Sequence, residues 1–170
     1  MDSSLYSLSE SSIQDLKIIT PKVFYDYRGE NFESFDSSFF KKELNLEFNI
    51  DSFSISRKNV LRGLHGDIFN YKLVQCLIGD IYLVVVDLRE NSTTYKQIKN
   101  FYLSDKNKTQ VLIPPGCVNG HLCMTQQCLF SYKLTSGYVP INKQLHVKWN
   151  DPEFRIFWPI NNPILSERDY

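Results

Sequence analysis

The sequence is poor in the features that mark several common classes of protein. It has only 4 cysteines, 3 histidines and 7 glycines in 170 residues, and its 19 basic and 19 acidic residues cancel. No run rich in Lys and Arg is present, so the chain lacks the electrostatic footprint of a protein that binds nucleic acid or an anionic membrane. We expect neither partner, and any charged ligand must be recognised by a local group of side chains.

Targeting signals and long apolar runs are also missing. Residues 1–15 have neither the basic flank nor the apolar stretch of a signal peptide, and no run of about 18 apolar residues occurs elsewhere. We therefore expect a cytoplasmic protein.

Cys76, Cys117, Cys123 and Cys128 form no C-x-x-C pair. Isolated cysteines on apolar segments of a reduced protein are usually small core residues, and we expect all four to be buried.

The sequence does contain many short apolar or alternating segments separated by turn signals, which is typical of an antiparallel all-β protein. A single domain over residues 1–170 is expected from the length and the 42% hydrophobic content. The Gly79-Asp80 pair predicts a tight hairpin between its flanking strands, and a short helix is predicted from Asp36 to Leu46. Strands are predicted at 17–24, 51–57, 73–78, 81–87, 98–103, 109–113, 120–125, 127–134, 144–149 and 154–157.

A possible catalytic group stands in the run Leu61-Arg62-Gly63-Leu64-His65. A single histidine of this kind is as often a satisfied core residue as a functional one. Here Arg62 and Lys72 flank His65 with positive charge, which is costly inside a barrel unless an anionic group is bound there. The charge pattern therefore predicts a pocket for an anionic ligand or a developing oxyanion.

Two partners of such a base can be considered from residue types alone. Asp151 is the candidate carboxylate to orient the imidazole, although Asn150-Asp151-Pro152 is also an ordinary turn tripeptide. Tyr132 is a candidate acid, but most of the 10 tyrosines in the chain must be packing groups. Spacing does not decide either role.

A longer ordered set of motifs resembles the nucleotide-sugar 4-keto 3,5-epimerases, the family of dTDP-4-dehydrorhamnose 3,5-epimerase. The resemblance runs from about Asp26 to Asp169. It implies an all-β, cupin-like jelly roll, a double-stranded β-helix or sandwich with few short helices, that uses no metal and no other cofactor. The matching segments are Asp26-x-Arg28-Gly29, Ser54-x-Ser56, Leu61-Arg62-Gly63-Leu64-His65, Lys72-Leu73-Val74, Val86-Asp87-Leu88-Arg89, Ile113-Pro114-x-Gly116, Tyr132-Lys133 with Tyr138, Trp149-Asn150-Asp151-Pro152, and Trp158-Pro159 followed by Leu165-Ser166.

The resemblance also implies roles for individual residues. His65 corresponds to the base, Asp151 to the carboxylate of its dyad, and Tyr132 to the acid on the opposite face of the sugar. Lys72 is implied near the C4 oxygen, where charge develops. Substrate binding is implied for Arg28, Glu33, Arg62, Asp67, Asn119, His121 and Tyr138. In the family the Arg28 and Glu33 positions act across the interface of a homodimer, which we therefore expect.

The finer motifs, Gly-Leu-His-Gly-Asp at 63–67, Asn119-x-His121 and residues 162–169, resemble one branch of the family. That branch comprises the GDP-4-keto-heptose 3- or 3,5-epimerases of capsular polysaccharide synthesis in Campylobacter. Three functions follow as hypotheses: epimerisation of a GDP-4-keto-heptose at C3, C5 or both; epimerisation of a dTDP-4-keto-6-deoxyhexose; and carbohydrate binding by a jelly roll without turnover.

Overall fold

Two antiparallel sheets form the body of the molecule in the computed structural model, which describes residues 5–170. Within this range there is one α-helix, and no helix is long and apolar enough to cross a membrane. The elements in chain order are β1 (Tyr6–Glu10), β2 (Lys17–Pro21), β3 (Val23–Asp26), β4 (Gly29–Phe32), α1 (Ser37–Leu44), β5 (Ile50–Arg57), β6 (Leu61–Gly66), β7 (Lys72–Ile78), β8 (Asp80–Asp87), β9 (Ile98–Ser104), β10 (Gln110–Ile113), β11 (Cys117–Cys123), β12 (Gln127–Leu134) and β13 (Leu145–His146), with short 3₁₀ helices at Ile141–Lys143 and Glu167–Asp169.

The two sheets face each other as a sandwich, which confirms the predicted fold class. A six-stranded sheet has the order β1-β2-β10-β7-β12-β5, and a five-stranded sheet has the order β13-β6-β11-β8-β9; β3 and β4 form a separate ribbon. The strand β8 is buried along nearly its whole length because both of its faces are covered. Ile81, Leu83 and Val85 pack between the sheets, whereas the alternate residues face a second apolar cluster that includes Trp158 near the C-terminus.

The predicted hairpin around Gly79-Asp80 is wrong. The chain does turn there, but β7 belongs to the six-stranded sheet and β8 to the five-stranded sheet, so the two strands do not pair. The turn is fixed by other partners: the Gly79 amide donates to the Asp105 carboxylate at 2.7 Å and the Asp80 amide donates to Thr125 Oγ1 at 3.0 Å. The turn at Gly79-Asp80 thus connects the two sheets of the sandwich instead of two paired strands.

The remaining local predictions fare differently. The helix begins one residue after Asp36, which caps it by accepting a hydrogen bond from the Ser38 amide at 2.8 Å, and it ends at Leu44. The strand predicted at 154–157 is wrong, because residues 152–155 form a turn and residues 156–158 do not pair with a strand. The cysteines are buried as predicted. The predicted ranges do not include β1, β4 or β6, and the range 17–24 covers β2 and only the start of β3. The strands β3 and β4 are largely exposed.

A β-bulge in β6 decides which side chains of this strand face the other sheet. His65 pairs with Asn119 on β11 and Arg62 pairs with His121, so three steps along β6 oppose two steps along β11. In a regular strand, residues three apart point to opposite faces, whereas the extra residue lets both Arg62 and His65 face the same cavity. Gly63 lies in the bulge with φ of +116°, a value that side chains of L-residues rarely allow.

Replacing Gly63 by alanine should therefore destabilise the fold at the site. A Cβ at this position would meet backbone atoms of Gly120, and the positive φ adds strain, for a total on the order of 1–3 kcal/mol or more in the free energy of unfolding. Gly137 is the matched control, because its Cβ would meet nothing within 4 Å and Gly137→Ala should change stability by less than about 0.5 kcal/mol. Urea unfolding of both variants measures the difference; equal stabilities would show that the bulge does not require glycine.

Candidate active site

A cavity of about 270 Å³ opens between the two sheets. The five-stranded sheet contributes side chains from β6 and β11, and the six-stranded sheet contributes side chains from β5, β7 and β12. Alternate residues of β12, Phe130, Tyr132 and Leu134, face it, as the two-residue period of a strand requires. The sequence-predicted residues in the lining are Arg62, His65, Asp67, Lys72, Asn119, His121, Tyr132 and Tyr138.

His65 is paired with a carboxylate, and that carboxylate is Asp169. The Nε2 atom of His65 lies 2.8 Å from Oδ1 of Asp169, and neither atom has a well-aligned hydrogen bond with any described residue. Asp169 is 3% exposed and its other oxygen accepts a hydrogen bond from Ser166 Oγ at 2.8 Å. Burial disfavours the charged carboxylate, but His65 and Ser166 more than offset it and hold the pKa of Asp169 below its usual range. Asp169 is thus a carboxylate at neutral pH.

The prediction that Asp151 completes this dyad is wrong, because the carboxylate beside His65 belongs to Asp169. The Oδ1 atom of Asp151 accepts a hydrogen bond from the Glu153 amide at 2.9 Å, and the Asp151 carbonyl accepts from the Arg155 amide at 3.1 Å. Asp151 therefore serves the turn that the tripeptide Asn-Asp-Pro also indicates. Its place beside His65 is taken by a residue of the C-terminal 3₁₀ helix.

Lys72 and Arg62 bring positive charge to the cavity from opposite sheets. The Lys72 ammonium donates to the backbone carbonyl of His65 at 3.2 Å, and across residues 5–170 no carboxylate lies within ion-pair distance of it. Burial lowers the pKa of Lys72, and the nearby Asp67 only partly counters this. Arg62 is fixed by a hydrogen bond from Nε to Ser56 Oγ at 2.9 Å. A cation held without a direct counter-ion is suited to a developing oxyanion.

Tyr132 faces the cavity from the opposite sheet to His65. It lies on β12 and pairs in register with Val74 on β7, while Leu134 pairs with Lys72. Its ring packs 6.0 Å from the ring of Phe130, which limits its orientation. The sandwich therefore places an imidazole and a phenol on facing walls of one cavity.

The other predicted contacts divide into fixed and free groups. The carboxylate of Asp67 is occupied by the Phe69 and Asn70 amides at 2.9 and 2.7 Å, so it shapes the cavity wall rather than offering a free charge. Tyr138 is 63% exposed at the cavity mouth. Asn119 stands on β11 directly opposite His65.

His121 is a buried polar group of the cavity. Its ring stacks on Phe130 at 4.0 Å with an interplanar angle of 21°, and it is 3% exposed. Within the described part of the chain its Nε2 atom has no hydrogen-bond partner. Burial, and to a lesser extent the charge of Arg62, lower the pKa of His121 to about 3. A neutral imidazole with a free nitrogen fits a neutral ligand group such as a hydroxyl better than a phosphate.

Arg28 and Glu33 do not reach this cavity within one chain. Arg28 lies at the tip of the β3–β4 ribbon, where its guanidinium binds Asp26 at 2.5 Å and lowers the pKa of that carboxyl. Glu33 is exposed just after β4. The structure therefore leaves their predicted role in substrate binding without support from a single copy of the chain.

Three residues at the site were not identified from the sequence: Asp169, Arg168 and His146. The ending Leu165-Ser166-Glu167-Arg168-Asp169 contains a Ser-x-x-Asp spacing that positions Asp169 locally, and this was the available signal. Arg168 lines the cavity and donates to Gln144 Oε1 at 2.8 Å. His146 pairs with His65 on the neighbouring strand, but a single histidine in an alternating segment carries no such information.

The chain as a whole is similar to proteins of one known family. A family model described as dTDP-4-dehydrorhamnose 3,5-epimerase matches residues 10–170. The chain is 37% identical over 165 residues to the dTDP-4-dehydrorhamnose 3,5-epimerase of Shigella flexneri, covering 94% of this chain and 91% of that protein. It is 39% identical over 166 residues to the enzyme of the same name from Salmonella typhimurium, covering 94% and 90%.

Solved structures agree with this assignment. The dTDP-4-dehydrorhamnose 3,5-epimerase of Bacillus anthracis, solved with TDP and pyrophosphate, superposes with a TM-score of 0.91 at 34% identity, covering 96% of each chain. A dTDP-6-deoxy-D-glucose-3,5-epimerase from Legionella pneumophila, in complex with dTDP-4-keto-L-rhamnose, superposes with a TM-score of 0.89 at 36% identity, covering 96% of this chain and 89% of that one.

The depressed pKa of His121 predicts a loss of stability in mild acid. An unfolded histidine titrates near pH 6.5, whereas the folded one stays neutral to about pH 3. The unfolded chain therefore binds the proton first, and stability falls as the pH drops below about 6.5. Between pH 7.5 and pH 5 this residue should cost about 2 kcal/mol of unfolding free energy.

The variant His121→Phe keeps an aromatic ring against Phe130 and removes the titrating group. Urea unfolding measures the free energy of unfolding of both proteins at pH 7.5 and pH 5. The decrease between the two pH values should be about 2 kcal/mol smaller in the variant than in the wild-type chain. Equal drops in both proteins would mean that His121 accepts its proton in the folded state.

Proposed function

Because the chain belongs to the dTDP-4-dehydrorhamnose 3,5-epimerase family, we propose that it epimerises a nucleotide-linked 4-keto sugar at C3, C5 or both. The members of this family are isomerases, and the chain is an enzyme of that class. The observation that carries the proposal is the placement of His65 and Tyr132 on facing sheets of one cavity. A sugar ring between them presents one face to the base and the other to the acid.

The C4 ketone acidifies the hydrogens on C3 and C5. His65 removes one of these protons, and the electron pair of the C–H bond moves to form the enolate, whose oxygen is stabilised by Lys72. Asp169 stabilises the imidazolium that forms, since it keeps its negative charge. Tyr132 then donates a proton to the carbon from the other face, which inverts the centre, and both residues are reset by exchange with water.

The first candidate substrate is a dTDP-linked 4-keto-6-deoxyhexose, since the relatives named above are described by such sugars. The resemblance to GDP-4-keto-heptose epimerases of capsule synthesis remains a prediction. One observation favours it as a second candidate: Asn119 and the unpartnered Nε2 of His121 add polar groups to the cavity. A heptose carries hydroxyl groups where a 6-deoxyhexose ends in a methyl group, and could satisfy this nitrogen.

The test follows solvent deuterium into the sugar. The purified protein is incubated in D₂O with dTDP-4-keto-6-deoxyglucose and, separately, with an enzymatically generated GDP-4-keto-heptose, and label at C3 and C5 is measured by NMR and mass spectrometry. Label with either sugar establishes the epimerase and identifies the nucleotide. Absence of label with both would overturn the proposal in favour of a carbohydrate-binding protein.

Variants in the same assay test the residue roles. His65→Asn, Tyr132→Phe and Asp169→Asn should each lower the exchange or inversion rate on the order of a hundredfold or more, as expected for loss of acid–base catalysis. Asp151→Asn is the matched control, since Asp151 only caps a turn, and its rate should stay within about twofold of wild type. A large effect of Asp151→Asn with none of Asp169→Asn would reverse the assignment of the dyad.

We also propose that the enzyme acts as a homodimer. The support is indirect: Tyr25 and Tyr27 on the β3–β4 ribbon are 72% and 97% exposed, and Phe53 and Ile55 on the edge strand β5 are 56% and 61% exposed. Exposed aromatic and aliphatic groups on a sheet edge are suited to association. A second copy would explain how Arg28 serves a cavity that it does not reach in its own chain.

Two measurements test this dimer. Light scattering after gel filtration should give twice the chain mass. If Arg28 acts in the partner's cavity, co-expression of the inactive His65→Asn and Arg28→Ala variants should restore about a quarter of the wild-type sites, because only one site of each mixed dimer is intact. A monomeric mass, or mixed dimers without activity, would contradict the shared site.

A further inference from the structure

His146 stands beside the proposed base, and the epimerase mechanism gives it no role. It lies on β13 directly opposite His65 on β6. The two imidazole rings are 5.3 Å apart between centroids and tilted by 30°. His146 is exposed to solvent, whereas Asp169, the other partner of His65, is buried. The catalytic pair is thus extended toward the surface by a second imidazole.

These three side chains bring two nitrogen donors and one carboxylate oxygen together. One donor atom from each of His65, His146 and Asp169 lies within 4.8 Å of the others. Zinc holds imidazole nitrogen and carboxylate oxygen at about 2.0–2.2 Å, so its ligands are separated by roughly 3–4 Å. His65 Nε2 and Asp169 Oδ1 are 2.8 Å apart, which is already close to this range. A small rotation of the exposed His146 side chain would bring its donor nitrogen into the same range.

The donor atoms are also available for a ligand. Over the described residues, His65 Nε2 and Asp169 Oδ1 are buried without a well-aligned hydrogen bond, so a metal ion would satisfy both. A second cavity of about 390 Å³, lined by Leu61, His65, Ser166 and Asp169 among others, borders the His65–Asp169 pair. It leaves room for a water molecule as the fourth ligand of a tetrahedral site.

We propose that His65, His146 and Asp169 form a reversible Zn²⁺ site that switches off the base. Two histidines, one carboxylate and one water are a donor set that zinc uses in proteins. Only the inhibition rests on the proposed epimerase function, and the binding does not. The surrounding positive charge of Lys72 and Arg168 weakens the site, so it should release zinc to a chelator, unlike a structural zinc site.

The chemical reason for inhibition lies in the two nitrogens of one imidazole. In the metal-free pair the Nε2–H faces Asp169, and the lone pair on Nδ1 accepts the substrate proton. When Zn²⁺ binds the Nε2 lone pair, the remaining proton of the neutral ring must reside on Nδ1. No lone pair is then left on His65, and proton abstraction stops until the metal leaves.

Isothermal titration calorimetry with zinc chloride tests the binding directly. The protein is first freed of metal with EDTA and dialysed. We expect one Zn²⁺ per chain. Loss of even an outer-shell partner weakens metal sites by roughly 10–100-fold, so His146→Gln and Asp169→Asn should each weaken binding at least that much. Asp151→Asn is the matched carboxylate control and should bind like the wild-type chain. Unchanged affinity in His146→Gln, or no binding to the wild-type chain, would overturn the site.

Deuterium exchange tests the consequence. The measured quantity is the exchange rate with zinc divided by the rate without zinc. For the wild-type chain this ratio should be well below one and should return to one on addition of EDTA. For His146→Gln it should stay near one at the same zinc concentration. Equal inhibition of both proteins would contradict the switch. Zinc binding that depends on His146, in a protein that labels no sugar, would leave the site standing and overturn only the proposed function.

Discussion

The bulge in β6 is the constraint on which the site depends. It lets Arg62 and His65, three residues apart, face the same cavity, and it needs a positive φ at Gly63. Without the extra residue the strand would turn one of the two side chains toward the opposite face of the sheet. The rest of the lining is regular: Asn119 and His121 on β11 and alternate residues of β12 reach the cavity through the ordinary period of a strand. The irregular step in β6 therefore brings the base into the cavity that these strands line.

The charges in the cavity favour an anionic ligand, and they reduce the stability of the protein when no ligand is bound. Lys72 is mostly buried, its pKa is lowered by desolvation, and its hydrogen bond goes to a neutral carbonyl rather than to a carboxylate. Asp67, the acidic group that partly counters this effect, is already held by backbone amides. The unfavourable burial of this ammonium is relieved when an oxyanion forms next to it, so it contributes to the reaction rather than to the fold.

The sequence predicts most strands and the layered all-β fold because burial imposes visible patterns. The run 81–86 is continuously apolar since both faces of β8 are covered. Pairing is not visible in the same way. Gly79-Asp80 permits either a hairpin or a change of sheet, and hydrogen bonds to Asp105 and Thr125, distant in sequence, decide between them. The apolar stretch 154–157 contributes Phe154 and Ile156 to the cluster around Trp158 without joining a sheet, since burial alone does not require pairing.

The site residues also divide into those on strands and one, Asp169, that tertiary contacts put in place. His65, Lys72 and Tyr132 lie on β6, β7 and β12 and line one cavity. Alternation places Lys72 and Tyr132 on their strands, whereas the bulge in β6 places His65. Asp169 lies beyond the last strand, in a segment that docks on β6 through Val60 and Ile164. There the Leu61 amide donates to the Ile164 carbonyl at 3.0 Å and the Ile164 amide donates to the Asn59 carbonyl at 2.8 Å.

The Ser166-x-x-Asp169 spacing indicates only a local hydrogen bond and not this docking. Asp151 lies in a recognisable turn motif and serves only that turn. The carboxylate that completes the base is therefore set by tertiary contacts of the chain end. The dyad can form only after β6 and the C-terminal segment have packed together.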